Sequence, residues 1–499
     1  MSKENTYKNK IKENLYNTLE SGFIPELGNH KSGKVRDIHF TSNKIGKPII
    51  MVASDRVSAF DFILSRRIPF KGKVLNLINE WAFENSKDII KNASEKSPHP
   101  NVIIQKYYKN IMIECVVRGY VWGSLAGEYE DGKREICGIK LDEGLLRYQK
   151  LEDPLFTPTT KADEHDEPMT FDEVRKKLGD KTANKVKEVA LKLYKRGAEL
   201  AAGSGLIFID TKYEFGLDDD GELYLIDEAN TADSSRYCSI EEYEKFEKIK
   251  KEMEQGSHNN VSDLLKKKPE LKIKELSKQF VRDVLTEKGF SYGSTGKIPE
   301  LSDEDVIEVS YRYIRLYETL TGKEFIFSEG NVKSDLIYSL RKEGYIKGGL
   351  VVIMAGSDSD MPHIEKIQKE LEKYDIPSDV RICSAHKQPG RCEEVIKKYN
   401  SSLEPIVIIA IAGGTDALSG VASFHSVHPV ISCPPNPDEF MSCIRNPPGS
   451  SNSLILRPAN AARHCAQILG YHDNKVKNIL LESNVKKIKK LEEADQKKG

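Results

Sequence analysis

The chain has 499 residues, room for about three domains, and it balances 76 basic against 77 acidic side chains. That balance excludes a global field for nucleic acid or an anionic membrane. Eight scattered cysteines with no C-x-x-C pair argue against a zinc site and a disulfide framework. The longest apolar runs, such as 406–412, are too short to cross a bilayer. Residues 1–13 mix lysine with glutamate and read as no secretory signal. A soluble, cytoplasmic protein is the expectation.

Residues 1–28 read as a polar helical lead-in. The stretch 30–38 then places Gly33 among Lys31, Lys34 and Arg36. A glycine turn beside positive charge can cover phosphates, with Lys34 as a point charge. It is not the G-x-x-x-x-G-K-[ST] loop, and no helix clearly follows it. A strand is expected over 48–53, followed by 54–61 and by a helix opening at Lys71 that carries Leu77, Ile78 and Trp81. A strand over 111–117, with Glu114 in it, ends in Arg118-Gly119, with Ser124 just beyond. Glycines around an arginine suit close approach to an anion, and an arginine holding a turn through carbonyls would read the same way. The loop 154–166 is dense in polar groups, and such loops carry function more often than regular elements do. A core helix is expected over 182–202, with Val186, Val189, Ala190 and Leu193 at helical spacing.

The stretch 206–236 organises the first half. Asp210, Lys212 and Glu214 alternate, so one strand face carries all three. Asp220-Gly221 signals a hairpin into a second strand holding Leu223, Leu225 and Asp227. Carboxylates such as Glu214 and Asp227 suit Mg²⁺, which takes one or two protein oxygens plus substrate phosphates. Asp233-Ser234-Ser235-Arg236 adds hydroxyls and a guanidinium fit for a phosphate or carboxylate. A surface hairpin with solvated charges would show the same pattern. Further on, Ser302 and Asp305 form a capping box. It opens a helix whose stripe is Val306, Val309, Tyr313, Leu316 and Leu320, and Gly322 ends it.

From Leu350 the composition changes. The run 350–354 is continuously apolar, the mark of a strand buried on both faces. Strand, loop and helix then repeat, which argues for a doubly wound parallel sheet. Ligands in such sheets bind beyond the carboxyl ends of the strands. Those ends carry 356–360, 384–387 and 413–416. His386, between Ser384 and Lys387 at one of them, is the candidate general base.

At these motifs the chain resembles two families. Residues 1–325 are similar to phosphoribosylaminoimidazole-succinocarboxamide synthetases, through 33–38, 54–61, 117–120 with Gly123-Ser124, 156–166, 210–216, Asp227-Glu228 and 233–236. Residues 349–475 resemble aminoimidazole ribonucleotide carboxylases, through 356–360, 384–387 and 417–420. The stretch 326–348 matches neither and reads as linker, and 476–499 as a charged C-terminal tail. The resemblance implies an α/β chain overall. Its first domain would be an α+β synthetase built on antiparallel sheets, and its second a Rossmann-like parallel domain. The implied activities are a carboxy-lyase acting on aminoimidazole ribonucleotide with CO₂, and an ATP-dependent carbon–nitrogen ligase joining the product to L-aspartate through an acyl phosphate. It implies ATP as substrate, Mg²⁺, no biotin, no nucleic-acid or membrane partner, and a homo-octamer built through the C-terminal domain.

Residue by residue, the resemblance puts ATP on Gly33, Lys34, Val35 and Arg36, the metal on Glu214 and Asp227, and the transferring phosphoryl group near Lys212. The nucleotide of the first domain falls to Arg118, Ser124, Asp233 and Arg236, and aspartate to Lys161, His165 and Asp166. In the second domain His386 would take the ring proton, Ser384 and Gly413-Gly414 would surround CO₂, and Gly356, Ser357, Asp360 and Lys387 would bind the nucleotide. Lys387 and the run 431–435 resemble the CO₂-using class. That class carries Arg-Ser-Asn where this chain has Gly414-Thr415-Asp416, so mutase chemistry on an N-carboxylated isomer stays open. So does a regulator that binds nucleotides without turnover.

Overall fold

A computed structural model describes residues 2–497, apart from 43, 61, 162–165, 257, 277–278, 292 and 295–296. The chain divides into two compact units, residues 1–20 with 31–332, and 21–30 with 333–499.

The first unit is built on antiparallel sheets. Its five-stranded sheet runs Asn29–Ser32, Arg36–Phe40, Pro48–Ala53, Val102–Lys106, Ser94–His99. A larger sheet is centred on the twelve-residue strand Leu206–Leu217, which pairs with Ile113–Tyr120, Leu223–Ile226, Ser235–Ser239 and Lys109–Asn110. The Asp-Gly turn closes the expected hairpin, with Glu214 opposite Ile226 and Leu217 opposite Leu223. Alternation then does its work: Tyr213 and Phe215 are fully buried in the core while Lys212 and Glu214 face the other way. The helix Asp180–Gly203 covers the opposite face through Val186, Val189, Ala190 and Leu193. The helix Asp303–Thr321 has the capping box of Ser302 and Asp305, and it ends at Gly322, whose φ of 69° suits glycine. In place of a continuous lead-in helix, the α-helix Lys3–Glu13 is followed by a buried, largely irregular stretch containing Leu19, Phe23 and Ile24 and then by the short 3₁₀ helix Pro25–Leu27.

The second unit has a parallel sheet in the order Ser378–Ile382, Leu350–Ala355, Ile406–Ile411, Val430–Ser432, Ser453–Leu454. Its central strands separate two cores. Val351, Ile353, Val407 and Ile409 pack with Ile364, Ile367, Ala462 and Cys465 on one side. Leu350, Val352, Ile406 and Ile408 pack with Cys392, Ile396, Tyr399 and Phe23 on the other. A strand sandwiched this way must be apolar at every position, which is why 350–354 shows no alternation. The stretch expected to be linker contains a helix, Val332–Lys342, that buries Leu336, Ile337 and Leu340. The charged tail is helical over Asn474–Gln496. Among the described residues, no helix is long and apolar enough to cross a membrane.

Ile408 is fully buried at the centre of the parallel sheet. Ile408→Ala is expected to cost about 2–5 kcal/mol, read as an earlier urea transition of the second unit alone.

Candidate active sites

Two cavities lie along the strand Leu206–Leu217. The first, about 500 Å³, is lined by Lys31, Gly33, Lys34, Val35 and Arg36 on one side and by Lys161, Glu214 and Asp227 on the other. Apolar side chains including Ile38, Met51 and Ile226 form part of the remaining wall, beside polar groups such as Gln105 and Asn110. The second, about 410 Å³, is lined by Arg118, Ser124, Asp210, Lys212, Asp233 and Arg236, with Glu114 and Arg282. The residues assigned from the sequence to ATP and metal thus share one cavity, and those assigned to the nucleotide share the other. A larger cavity of about 680 Å³ near Tyr243 and Phe246 holds none of them.

Register explains the grouping. Asp210 stands opposite Arg118 on one neighbouring strand and Arg236 on the other. Its carboxylate takes a hydrogen bond from Arg236 at 2.5 Å and lies 3.6 Å from Arg118. Two residues on, the Lys212 ammonium donates to Glu114 at 2.5 Å and lies 3.8 Å from Glu214. Burial pulls the Lys212 pKa down, but the Glu214 and Glu114 carboxylates outweigh it and hold the amine charged. Burial pushes the Glu114 carboxyl up, against the Lys212 charge. The chain of charge then enters the first cavity, where Lys161 donates to Glu214 and Arg36 binds Glu228 at 2.6 Å with Asp227 at 3.8 Å. Burial lowers the Arg36 pKa, and Glu228 and Asp227 more than reverse that. Burial also lowers the Arg118 pKa, only partly offset by Asp210.

Asp227 sits one residue past the Ile226 that pairs with Glu214, and it adopts φ 61°. That left-handed conformation is one an aspartate tolerates better than most residues. Glu214 and Asp227 therefore line one cavity as hard oxygen donors with cations already beside them, an arrangement that fits a magnesium ion. Among the described residues, no group of three or more His, Cys, Asp or Glu is arranged around a single metal position, so substrate oxygens would complete the shell.

Several residues went unassigned in the sequence. Lys71, fully buried, donates to Asp233 at 2.7 Å, and the Tyr313 hydroxyl donates to the other Asp233 oxygen at 2.7 Å. Tyr313 belongs to an apolar helical stripe, so only its hydroxyl hinted at a second role. Arg282 comes from the amphipathic helix Gln279–Glu287, and nothing in its spacing separates it from a surface arginine. His165 lies outside the described residues. Asp166 acts electrostatically on Glu114, at the end of the loop that carries Lys161.

In the second unit the parallel sheet brings the ends of three strands to one edge. Gly356 and Ser357 follow Leu350–Ala355, Ser384, His386 and Lys387 follow Ser378–Ile382, and Gly413 and Gly414 follow Ile406–Ile411. Ser357 Oγ caps the next turn by accepting the Ser359 N–H at 3.2 Å. Asp360 is buried against Gly413, where an added Cβ would lie 3.2 Å from its carboxylate, and burial raises its pKa. Ser384 Oγ accepts the Lys387 N–H at 3.3 Å and its carbonyl accepts the Gln388 N–H at 2.7 Å, forming a turn around His386. His386 itself is exposed, as are Gly413 and Gly414.

Comparison with known proteins agrees with this division. The SAICAR synthetase family pattern matches residues 29–271 and the AIR carboxylase pattern residues 350–490. The chain is 39% identical over 309 residues to the phosphoribosylaminoimidazole-succinocarboxamide synthase of Flavobacterium psychrophilum, covering 61% of this chain and 90% of that one. The chain belongs to the SAICAR synthetase family. The synthase of Bacteroides fragilis is 41% identical over 300 residues, covering 59% of this chain and 87% of that one. The solved SAICAR synthase of Saccharomyces cerevisiae, complexed with SAICAR, is 28% identical with a TM-score of 0.51, and the match covers 62% of this chain and all of that one. With an AIR carboxylase domain behind its synthetase domain, the chain is a multifunctional ligase of purine biosynthesis.

The Lys71–Asp233 pair is buried on both sides, at 0% and 6% side-chain exposure. Lys71→Met leaves an uncompensated carboxylate and is expected to destabilise the synthetase unit by about 3–5 kcal/mol, measured by chemical denaturation.

Proposed function

We propose that the chain carries out two consecutive steps. The second unit carboxylates aminoimidazole ribonucleotide at ring carbon 4 with CO₂. The first unit then uses ATP to join that carboxylate to the amine of L-aspartate. The observation that carries this reading is the face of one strand, where Asp210 and Lys212 line one cavity and Glu214 the next.

In the synthetase, Arg118, Ser124, Arg236 and Arg282 hold the anionic end of the nucleotide, and Asp233, fixed by Lys71 and Tyr313, takes a ribose or ring donor. The substrate carboxylate then lies toward Lys212. Gly33, Lys34, Val35 and Arg36 hold ATP, its base against the apolar part of the first cavity's wall. Glu214 and Asp227 would hold magnesium, which neutralises phosphate charge when bound. A carboxylate is a poor electrophile, so its oxygen attacks the terminal phosphorus and ADP leaves. The aspartate amine, with Lys161, His165 and Asp166 on its side, attacks the acyl phosphate and inorganic phosphate leaves. Lys212, kept charged by Glu214 and Glu114, steadies the negative charge passing between the cavities. The protein's part is positioning and charge stabilisation.

In the carboxylase, ring carbon 4 is enamine-like and attacks CO₂, with Ser384 and the Gly413-Gly414 backbone around the new carboxylate. His386 removes the proton left on that carbon. Ser357 and Lys387 take the phosphate, beside Gly356, and Asp360 takes a ribose hydroxyl. A second reading, rearrangement of the N-carboxylated isomer, is favoured by one observation. Gly414 stands where the CO₂-using class has arginine, and nothing lies within 4 Å of a Cβ built there. Giving the whole protein each carboxyl donor separately distinguishes the two. Assembly of this unit into a homo-octamer is part of the proposal. Exposed Leu481, Val485, Ile488 and Leu491 on the helix Asn474–Gln496 support it, and sedimentation tests it.

With aminoimidazole ribonucleotide, bicarbonate, ATP, Mg²⁺ and aspartate, omission of ATP should leave carboxylation intact and abolish succinocarboxamide formation. His386→Asn should fail to carboxylate aminoimidazole ribonucleotide yet still form succinocarboxamide when the carboxylated nucleotide is supplied, and Asp227→Asn should do the reverse. Succinocarboxamide formation by His386→Asn with ATP from unsubstituted aminoimidazole ribonucleotide would overturn the base assignment. Arg282→Ala should raise the KM for the carboxylated nucleotide by about 10- to 100-fold, the size of a lost hydrogen bond to a charged group, with ATP affinity unchanged.

A further inference from the structure

Ten residues far from the second unit in sequence, 21–30, are part of it. Phe23 is 4% exposed and joins the core formed by Leu350, Val352, Ile406 and Tyr399. Its carbonyl accepts the Leu403 N–H at 2.9 Å, and the Lys398 ammonium lies 5.0 Å from its ring centre. Three residues on, the Glu26 carboxylate accepts the backbone N–H groups of Lys347 and Gly348. The Glu26 N–H donates to Glu404 at 2.9 Å. Lys347-Gly348 lead into the strand Leu350–Ala355 and Glu404 into Ile406–Ile411, so the segment clasps the starts of both central strands.

Glu404 is 1% exposed, and its second carboxylate oxygen is buried without a hydrogen bond. Burial, with the Glu26 carboxylate beside it, pushes the Glu404 carboxyl up to about 8. Burial raises the Glu26 carboxyl as well, against the backbone amides of Lys347 and Gly348 that hold it.

Both ends of this segment run straight into the synthetase unit's machinery. Upstream, Asp55 accepts the Leu19 N–H at 2.7 Å and Arg56 donates to the Glu20 carbonyl at 3.1 Å. Downstream, Lys31 is the next residue, and Lys31, Gly33, Lys34, Val35 and Arg36 line the first cavity. Only Gly28, at φ 86°, stands between buried Leu27 and the strand Asn29–Ser32.

We propose that residues 21–30 form a strap that couples nucleotide occupancy of the Gly33–Arg36 turn to the hold of Phe23 and Glu26 on the carboxylase unit. The coupling rests on the reading of that turn as the ATP site. It needs no geometry beyond chain connectivity: a ligand that orders the turn makes release of the strap less favourable, and the effect is reciprocal.

The test is hydrogen exchange on the full-length protein with and without Mg·ADP. Peptides covering 33–36 report binding, and those covering 347–349 and 403–405 report the clasp. In the native protein, ADP should slow exchange in all three, the last two by about tenfold, an ordinary size for coupling between sites. In Phe23→Ala, and independently in Glu26→Ala, the turn should still be protected while the clasp peptides no longer respond. Glu404→Gln, which keeps the shape and an oxygen to accept the Glu26 N–H, should behave as the native protein. Protection at 33–36 with no response at 347–349 and 403–405 overturns the strap while leaving the ATP site standing. An undiminished clasp response in both variants also overturns it. No protection at 33–36 removes the ATP reading and the strap with it.

Discussion

Burying charge is costly unless an opposite charge is buried beside it, and the synthetase unit is arranged around that constraint. The strand Leu206–Leu217 turns Tyr213 and Phe215 into the core and Asp210, Lys212 and Glu214 to the other face. Asp210 and Glu214 are only 5% and 3% exposed. Asp210 is paired with Arg118 and Arg236 from the two neighbouring strands, and Glu214 with Lys161 from a loop and Lys212 from its own strand. Four residues of strand extend about 13 Å, enough for this alternation of charge to run from one cavity into the next. Groups paired in this way are already fixed in place, the condition that electrostatic preorganisation requires.

The carboxylase unit solves a different problem. A parallel sheet covered on both sides can place polar groups only where its strands stop. Continuous apolar strands force Ser357, Ser384, His386 and the two glycines onto the loops at the carboxyl ends. These exposed strand-end groups contrast with the two cavities of the synthetase, which are lined by buried charges such as Asp210 and Glu214.

Much of this was legible from local pattern. Hairpin chemistry at Asp220-Gly221, the Ser302–Asp305 cap and the strand 350–354 are set by neighbours in sequence, so they could be read there. Residues 1–28 and 326–348 could not. Phe23 and Ile24 sit in a polar context without helical spacing, and their burial comes from partners such as Tyr399 that lie hundreds of residues away. Leu336 and Leu340 are spaced for a helix, but a short amphipathic segment between charged stretches reads equally as connection. Lys71, Tyr313 and Arg282 were hidden for a related reason, since a lysine at a helix start, a tyrosine in a core stripe and an arginine on an amphipathic helix each have an ordinary structural use.

The order of residues alone determined which groups the chain carries: the glycine turn among cations, the acidic hairpin and the strand-end histidine are each short-range, and covalent spacing defines them. The folded chain decided which of those groups meet. It put Glu214 and Asp227 with Gly33–Arg36 in one cavity and Arg118 with Arg236 around Asp210 in another, and it assigned residues 21–30 to the unit that follows them by three hundred positions. The reason is that burial and register depend on the sum of contacts from distant segments, and no single stretch contains that sum.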